Sequence, residues 1–419
     1  MKNKIYIFLL LLYSFSLTLN AQIVLSDSAK VSLLTASPWD GAVYLYYGHT
    51  AISVQDDSTG LDTVFNYGYF DNTQPNFMWH FVRGETDYVL GVTSMAQFLA
   101  EYGRRGQGVY EQQLNLTATE KQRLFDALYV NSLPENREYR YNYFYDNCST
   151  RPRDMIEKYT DATIQYLPSE KTQTYRDLIH ECVEPYPWNK FGIDLVIGSD
   201  ADEPIDVRQE MFLPAYLMHS FDGATINKAD TLHYPLVKST ETLLPIGDQT
   251  KDGNEERWFT PMVGAFALLF ITIIISILQI IKLNKTILPR VYDTILFSIA
   301  GIGGVVIFFL MFFSVHPATN PNWNFVWLNF FALIFAVLFW VKSARNAVYI
   351  YHFINFAVLS LFLLLWWLIP QNLPFATIPF SMSLWLRSGV NIFMFSKSRT
   401  KRKRFVSSKY MKAGWGSNF

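Results

Sequence analysis

Two textures divide this chain. From residue 22 to about 258, short apolar runs alternate with polar clusters, whereas beyond 258 apolar positions run almost unbroken in five stretches. In the first part, residues 42–55 and 62–68 are rich in Tyr, Val and Ile with partial alternation, the pattern of strands, and residues 56–60 supply the turn between them. Residues 88–93 and 109–116 read as two further strands around a short helix near 95–102. Thr117 with Glu120 three residues on is a capping box, opening a helix to about Asn131 with Leu124, Phe125 and Leu128 on its apolar side. A second helix is expected over 149–159, capped by Ser149 or Thr150, with Pro152 in its first turn and Met155, Ile156 and Tyr159 facing inward. Beyond residue 160 the chain turns rich in Pro and acid, and no periodicity assigns elements there.

The five apolar stretches are 262–281, 295–315, 325–341, 347–369 and 375–395. Each approaches the roughly 20 residues that a helix needs to cross a hydrocarbon core. Lys282, Lys285 and Arg290 follow the first stretch, Lys342 and Arg345 the third, and a basic run from Lys397 to Arg404 the fifth, while the loops after the second and fourth carry neither Lys nor Arg. The positive-inside rule therefore predicts cytoplasmic odd-numbered loops and a cytoplasmic C-terminus, with residues 22–258 outside. The N-terminus agrees. Lys2 and Lys4 precede an apolar run from Ile5 to Tyr13, and Leu19-Asn20-Ala21 resembles a small-residue cleavage site that leaves Gln22 first. An uncleaved anchor helix is the alternative, and it exports the same residues. The expected organisation is thus 1–21 signal peptide, 22–258 exterior domain, 259–396 five-helix transmembrane domain and 397–419 basic cytoplasmic tail.

Composition sharpens the division. Over 419 residues the net charge is −1, yet residues 1–260 hold 35 of 36 acids and 21 of 35 bases, and residues 261–419 hold one acid, Asp293, against 14 bases. No basic stripe with interleaved aromatics marks the acidic half, so nucleic acid is not an expected partner. Two cysteines, Cys148 and Cys182, allow one disulfide but no framework, and no Cys-x-x-Cys or His-Glu-x-x-His pattern supports a metal site.

Two short segments carry candidate chemistry. His49 lies in Tyr47-Gly48-His49-Thr50 within a predicted strand, and Cys148 lies in Asp146-Asn147-Cys148-Ser149-Thr150-Arg151 at a predicted helix start. A helix N-terminus favours thiolate, and a thiol nucleophile needs a base, for which neutral imidazole is the usual partner. A Cys148–Cys182 disulfide is the structural alternative. Arg151 and Arg153 beside the cysteine suit phosphate recognition, with ion pairs to Asp154 or Glu157 as the alternative, and Asn147 adjoins the nucleophile as a further substrate contact. The loop from His316 to Asn324, with Asn320 in it, is expected outside the membrane on the side of Cys148, either as an interfacial belt and turn or as a wall of the substrate entrance.

These motifs, together with Phe65-Asn66-Tyr67-Gly68-Tyr69-Phe70-Asp71 and Phe81-Val82-Arg83-Gly84, resemble the Lnb N-terminal periplasmic domain family, and the resemblance continues into the membrane region. More distantly, a strand His followed by Asn-Cys at a helix start resembles permuted papain-like enzymes of the LRAT and NlpC/P60 groups. The resemblance implies an α+β papain-like (permuted NlpC/P60-type) domain followed by an all-α bundle of five transmembrane helices in the bacterial inner membrane. It implies His49 and Cys148 as the catalytic pair, with Asn66 or Asp62 on the next strand to orient His49 and Tyr67 as a donor to the carbonyl oxygen. The implied activity moves an acyl chain from phospholipid, through a Cys thioester, to the α-amino group of a lipoprotein's diacylglyceryl-cysteine, without a cofactor. Two rivals remain open: an NlpC/P60-like cell-wall amidase or endopeptidase, and a non-enzymatic membrane sensor or assembly factor.

Overall fold

The computed structural model describes residues 23–73, 75–228, 232–247, 258–282 and 287–414. The expected signal peptide, the linker at 248–257 and the side chains of the basic tail from residue 401 lie outside the described residues.

The N-terminal half is built on a seven-stranded antiparallel sheet. Its strands are β1 (Lys30–Ala36), β2 (His49–Asp56), β3 (Leu61–Tyr69), β4 (Asp87–Thr93), β5 (Val109–Leu114), β6 (Glu138–Arg140) and β7 (Val237–Leu244), in the order β7-β5-β1-β2-β3-β4-β6. Both faces are covered. One buries Leu33, Ile52, Val54, Phe65 and Tyr67 beneath α3 (Ala118–Ser132) and α4 (Thr150–Tyr159), and the other buries Leu34, Ala51 and Val64 against Phe98 and Tyr102 of α2 (Met95–Arg104). A sheet covered on both sides needs apolar residues at nearly every position, which is why the strands alternate only in part. The Thr117–Glu120 capping box opens α3 as expected, and Ser94 with Gln97 makes another for α2.

One expectation is corrected here, and one unassigned region gains its elements. The stretch 42–55 is not one strand, because residues 43–45 form a helical turn and β2 starts at His49. The Pro- and acid-rich region is ordered, with α5 (Tyr175–Val183) and α6 (Pro187–Val196) forming a separate small core around Phe144, Leu178 and Phe212.

The C-terminal half is helical: α7 (Pro261–Lys282), α8 (Leu288–Phe313), α9 (Phe331–Leu338), α10 (Arg345–Leu364) and α11 (Thr377–Gly414). By length and composition, the helices over 261–281, 288–313 and 342–364 are long and apolar enough to cross a membrane, and the apolar helix over 323–338 is shorter. Gly301 and Gly304 let α8 approach α9 closely, since a Cβ on them would meet Leu333 N at 2.2 Å and Asn329 C at 2.3 Å. On α11, Arg387 is fully buried and meets Asp293, the only acid of this half, through Nε at 2.5 Å and Nη2 at 2.9 Å, with Ser276 and Gln279 taking its other donors. Removing one partner strands a buried charge. Arg387→Met is therefore expected to cost roughly 3–5 kcal/mol in detergent denaturation, and pairing it with Asp293→Leu to recover most of the loss. Equal losses for the single and double variants would refute this role.

The two halves meet along a seam of amides. Asn324 Nδ2 donates to Asp194 O, Asn322 Nδ2 to Leu195 O and Gln371 Nε2 to Ile197 O, each at 2.9 Å. Gly198 N reaches Ala318 O at 2.7 Å, an approach that leaves no room for a side chain, because a Cβ would lie 2.2 Å from Pro321 O. Behind the seam the buried Arg176 holds Asp194, Asp202 and the carbonyls of Ile197 and Gly198. A second contact lies beside α1 (Phe77–Arg83), where Val315 N donates to Arg83 O at 2.8 Å.

Candidate active site

β2 begins at His49 because Gly48, at φ +77°, turns the chain past Ala36 O, from which a Cβ would stand only 2.6 Å. The β2–β3 register, Ile52 opposite Phe65, continues to set His49 against Gly68, with Asn66 two residues along on the same face. Gly68 sits at an irregularity between Tyr67 and Tyr69 with φ +107°. A Cβ there would lie 3.4 Å from Cys148 Cβ and 3.9 Å from His49 Cε1, so thiol and imidazole converge on the space the glycine leaves open.

Cys148 is delivered by the tyrosine-rich segment 139–147. Asn142 and Asp146 exchange backbone hydrogen bonds of 2.9 and 3.1 Å to close a tight loop, and Asn147 then anchors the helix start. Its Oδ1 accepts from Ser149 N at 2.8 Å and Thr150 N at 2.9 Å, while its Nδ2 donates to Tyr143 O at 2.7 Å and Phe212 O at 2.9 Å. Thus Asn147, not Ser149 or Thr150, caps α4. The Thr50 backbone and the Tyr141 and Ser149 hydroxyls lie close enough to the thiol to favour its charged form, and the Tyr141 ring shares the space beside Gly68 with Cys148 and His49.

Burial dominates the electrostatics. It raises the Cys148 thiol pKa, and the neighbouring polar groups offset only part of that rise. Burial also lowers His49 to about 4, with Asn66 pulling the other way, and Glu101 and Arg105 opposing each other. The Asn66 oxygen is buried without a well-formed hydrogen bond, so it faces the imidazole as an unsatisfied acceptor. At neutral pH the pair therefore rests as thiol and neutral imidazole. Two features oppose the pull of the helix start toward thiolate: Asn147 Oδ1 takes the Ser149 and Thr150 N–H groups, and the low-dielectric surroundings disfavour charge. Burial likewise raises Tyr141 well above the usual phenol value, so it keeps its proton and remains a donor.

Several expected residues stand elsewhere. Tyr67 faces the opposite side of the sheet from Asn66 and donates to Asn131 Oδ1 at 2.6 Å. Arg151 pairs with Asp146 at 2.5 and 2.8 Å through Nε and Nη2 and lies 3.6 Å over the Tyr139 ring. Arg153 is buried, bonded to Asp154 and Arg208 O, and Asn147 is a buried clamp rather than a substrate contact. His316 binds Phe81 O at 2.7 Å and stacks on Tyr143, while Asn320 is exposed in its loop. Cys148 and Cys182 are both free thiols.

Sequence reasoning missed Tyr141 and Gly68. The alternating tyrosines at 139, 141 and 143 just ahead of Cys148 were the available signal for the first; the second shows only as a gap between side chains. A concavity of about 470 Å³ lies apart from this site, on α5, lined by residues including Lys171, Asp177 and Glu181. Its acids are already engaged, Glu181 by Gln173 and Tyr216 and Asp177 by Thr174. Among the described residues, no group of three or more His, Cys, Asp or Glu is placed to hold a metal ion.

Comparison with known proteins places both halves. Residues 19–181 match the family model of the Lnb N-terminal periplasmic domain, and residues 253–399 match that of the Lnb transmembrane domain. No curated protein and no solved structure matches the chain.

Proposed function

The chain belongs to the Lnb family of lipoprotein N-acyltransferases, a membrane protein with a periplasmic N-terminal domain, and from that premise we propose how this site performs acyl transfer. Cys148 Sγ attacks the ester carbonyl of a phospholipid while His49 takes the thiol proton. The S–C bond forms, the ester C–O bond breaks, and lysophospholipid leaves with the proton His49 returns. The α-amino group of a lipoprotein's diacylglyceryl-cysteine then attacks the thioester. The C–N bond forms, C–S breaks, and the amine's proton passes through His49 back to sulfur. Asn66 orients the imidazole, and the Cys148 N–H with the Tyr141 hydroxyl stabilises the oxyanion.

The observation carrying this reading is the convergence of His49 and Cys148 beside Gly68. Burial supports it, since a neutral thiol–imidazole pair becomes reactive only when proton transfer accompanies attack. Proximity to lipid supports it too: Tyr141 adjoins Cys148 beside Gly68, Tyr143 neighbours Tyr141, and His316 of the membrane half stacks on Tyr143. In this reading the N-terminal domain is papain-like, all five helical segments span the inner membrane, residues 1–21 are removed as a signal peptide, and the C-terminus is cytoplasmic. A cell-wall hydrolase needs the same Cys and His but no membrane half, and a sensor needs no donors aimed at a thiol.

The test is intact-protein mass spectrometry after incubation with phospholipid vesicles. A hydroxylamine-labile acyl adduct is expected on the unmodified protein and none on Cys148→Ala. An adduct that survives the substitution, or none on either protein, would remove Cys148 as the acyl carrier.

A further inference from the structure

The short helix α1 has the wrong surface for water. Of its seven residues, Met78 is 67% exposed, Trp79 52%, Phe81 36% and Val82 36%. This apolar face does not stand alone. The Trp79 ring lies 5.4 Å from Phe309 of α8, and the outer end of α8 continues the exposed apolar surface through Phe312, Phe313 and Val315. Two backbone acceptors tie the helix down, Arg83 O to Val315 N and Phe81 O to the His316 ring. At its end Gly84, with φ +72°, leaves the space His316 fills, since a Cβ there would lie 2.9 Å from His316 N. Arg83 pairs with Glu85 at 2.6 Å, which sets charge just above the apolar face. An apolar face continuous with the end of a membrane-crossing helix, with charge at its upper edge, matches the anatomy of a helix lying in the bilayer interface.

From the same helix an unbroken wall of rings leads to the thiol. Phe77 stacks on Phe70 at 5.8 Å, Phe70 lies 5.2 Å from Tyr88, Tyr88 stacks on Tyr141 at 4.1 Å, and the Tyr141 ring adjoins Cys148 across the space beside Gly68. We propose that α1 is an interfacial membrane helix seated in the periplasm-facing leaflet, and that the wall from Phe77 to Tyr141 is the passage along which one fatty acyl chain of a bilayer phospholipid reaches Cys148. The passage rests on the acyl-transfer reading; the seat of the helix does not. A chain sliding along rings from the leaflet never leaves an apolar surface, so the several-fold cost of exposing each CH₂ to water is avoided.

Two measurements test this. A nitroxide is attached at Met78→Cys in a Cys148→Ser, Cys182→Ser full chain reconstituted in phosphatidylethanolamine–phosphatidylglycerol vesicles. Relaxation by oxygen and by a water-soluble nickel chelate is compared with that of a label at Tyr129→Cys, an exposed position on α3. The label at 78 is expected to be open to oxygen and closed to nickel, and the label at 129 the reverse. Nickel access at 78 overturns the seat, and shielding that appears only when a lipoprotein is added assigns the face to a protein partner instead. For the passage, Met78→Asp/Trp79→Asp is expected to slow Cys148 acylation by vesicle phospholipid at least about tenfold. Acylation by soluble p-nitrophenyl butyrate should stay within about twofold, because that donor needs no leaflet. Equal losses with both donors overturn the passage. If neither donor acylates the unmodified protein, the acyl-transfer reading fails, while the spin-label result still decides where α1 lies.

Discussion

Replacing His49 by alanine is expected to slow acylation of Cys148 by roughly 10²–10⁴-fold, the usual worth of a positioned general base. The reason is the resting state of the pair. Burial keeps the thiol protonated, so almost no thiolate exists until the imidazole accepts the proton. The pH dependence follows with a definite sign. Because His49 falls to about 4 and a base must be neutral to act, the rate should hold through weakly acidic pH and decline only as pH falls through about 4. An unperturbed histidine would fail near 6.5 instead. Single-turnover adduct formation, followed by intact mass from about pH 3 to pH 8, reads both effects. A midpoint near 6.5 would mean that the imidazole is solvated in the working protein, and an unchanged rate in His49→Ala would exclude it as the base.

Tyr141→Phe is expected to lower the same rate by roughly 10²–10³-fold, the range measured for loss of one oxyanion donor. The substitution removes only the hydroxyl. The ring stays stacked on Tyr88 at 4.1 Å, so packing around the site should persist. Burial keeps the phenol protonated far into the alkaline range, so its contribution should not titrate near neutrality. Thermal unfolding run beside the kinetics separates the two possibilities. A rate loss with unchanged melting identifies a donor to the reaction, and a matched loss of stability would reduce Tyr141 to a packing residue.

How far the chain can be read before it is folded depends on whether the cause of each feature is local. The α3 capping box is local, since Thr117 and Glu120 satisfy each other within one turn, and it stands where periodicity sets it. The start of β2 is not local: Gly48 adopts a left-handed φ against Ala36 O, a contact made only once β1 is paired. The region after 160 resisted reading for a similar reason. The α5–α6 core is held by Arg176, whose partners Asp194 and Asp202 come from separate elements and give no periodic signal. At the site, His49 and Cys148 were legible as reactive types beside glycine and asparagine. For the arginines both phosphate recognition and ion pairing stood open; the fold pairs Arg153 with Asp154, one of the partners considered, while Asp146 and the Tyr139 ring beside Arg151 became visible only once it was folded. Tyr67 misled by one step of strand parity, which moves a side chain to the opposite face.

The amide seam between the halves distributes constraint unequally. On the membrane side the donors are side chains, Asn322, Asn324 and Gln371; on the other side the acceptors are the main-chain carbonyls of Asp194, Leu195 and Ile197. Every amino acid brings a carbonyl, so substitutions at Leu195 and Ile197 leave these bonds available, whereas losing an amide strands a buried acceptor. The two halves are thus free to drift at different rates across their joint. Whole catalytic domains should be exchangeable between relatives that keep the three amides, the glycine at 198 and the Arg176 brace, whatever else has diverged between them.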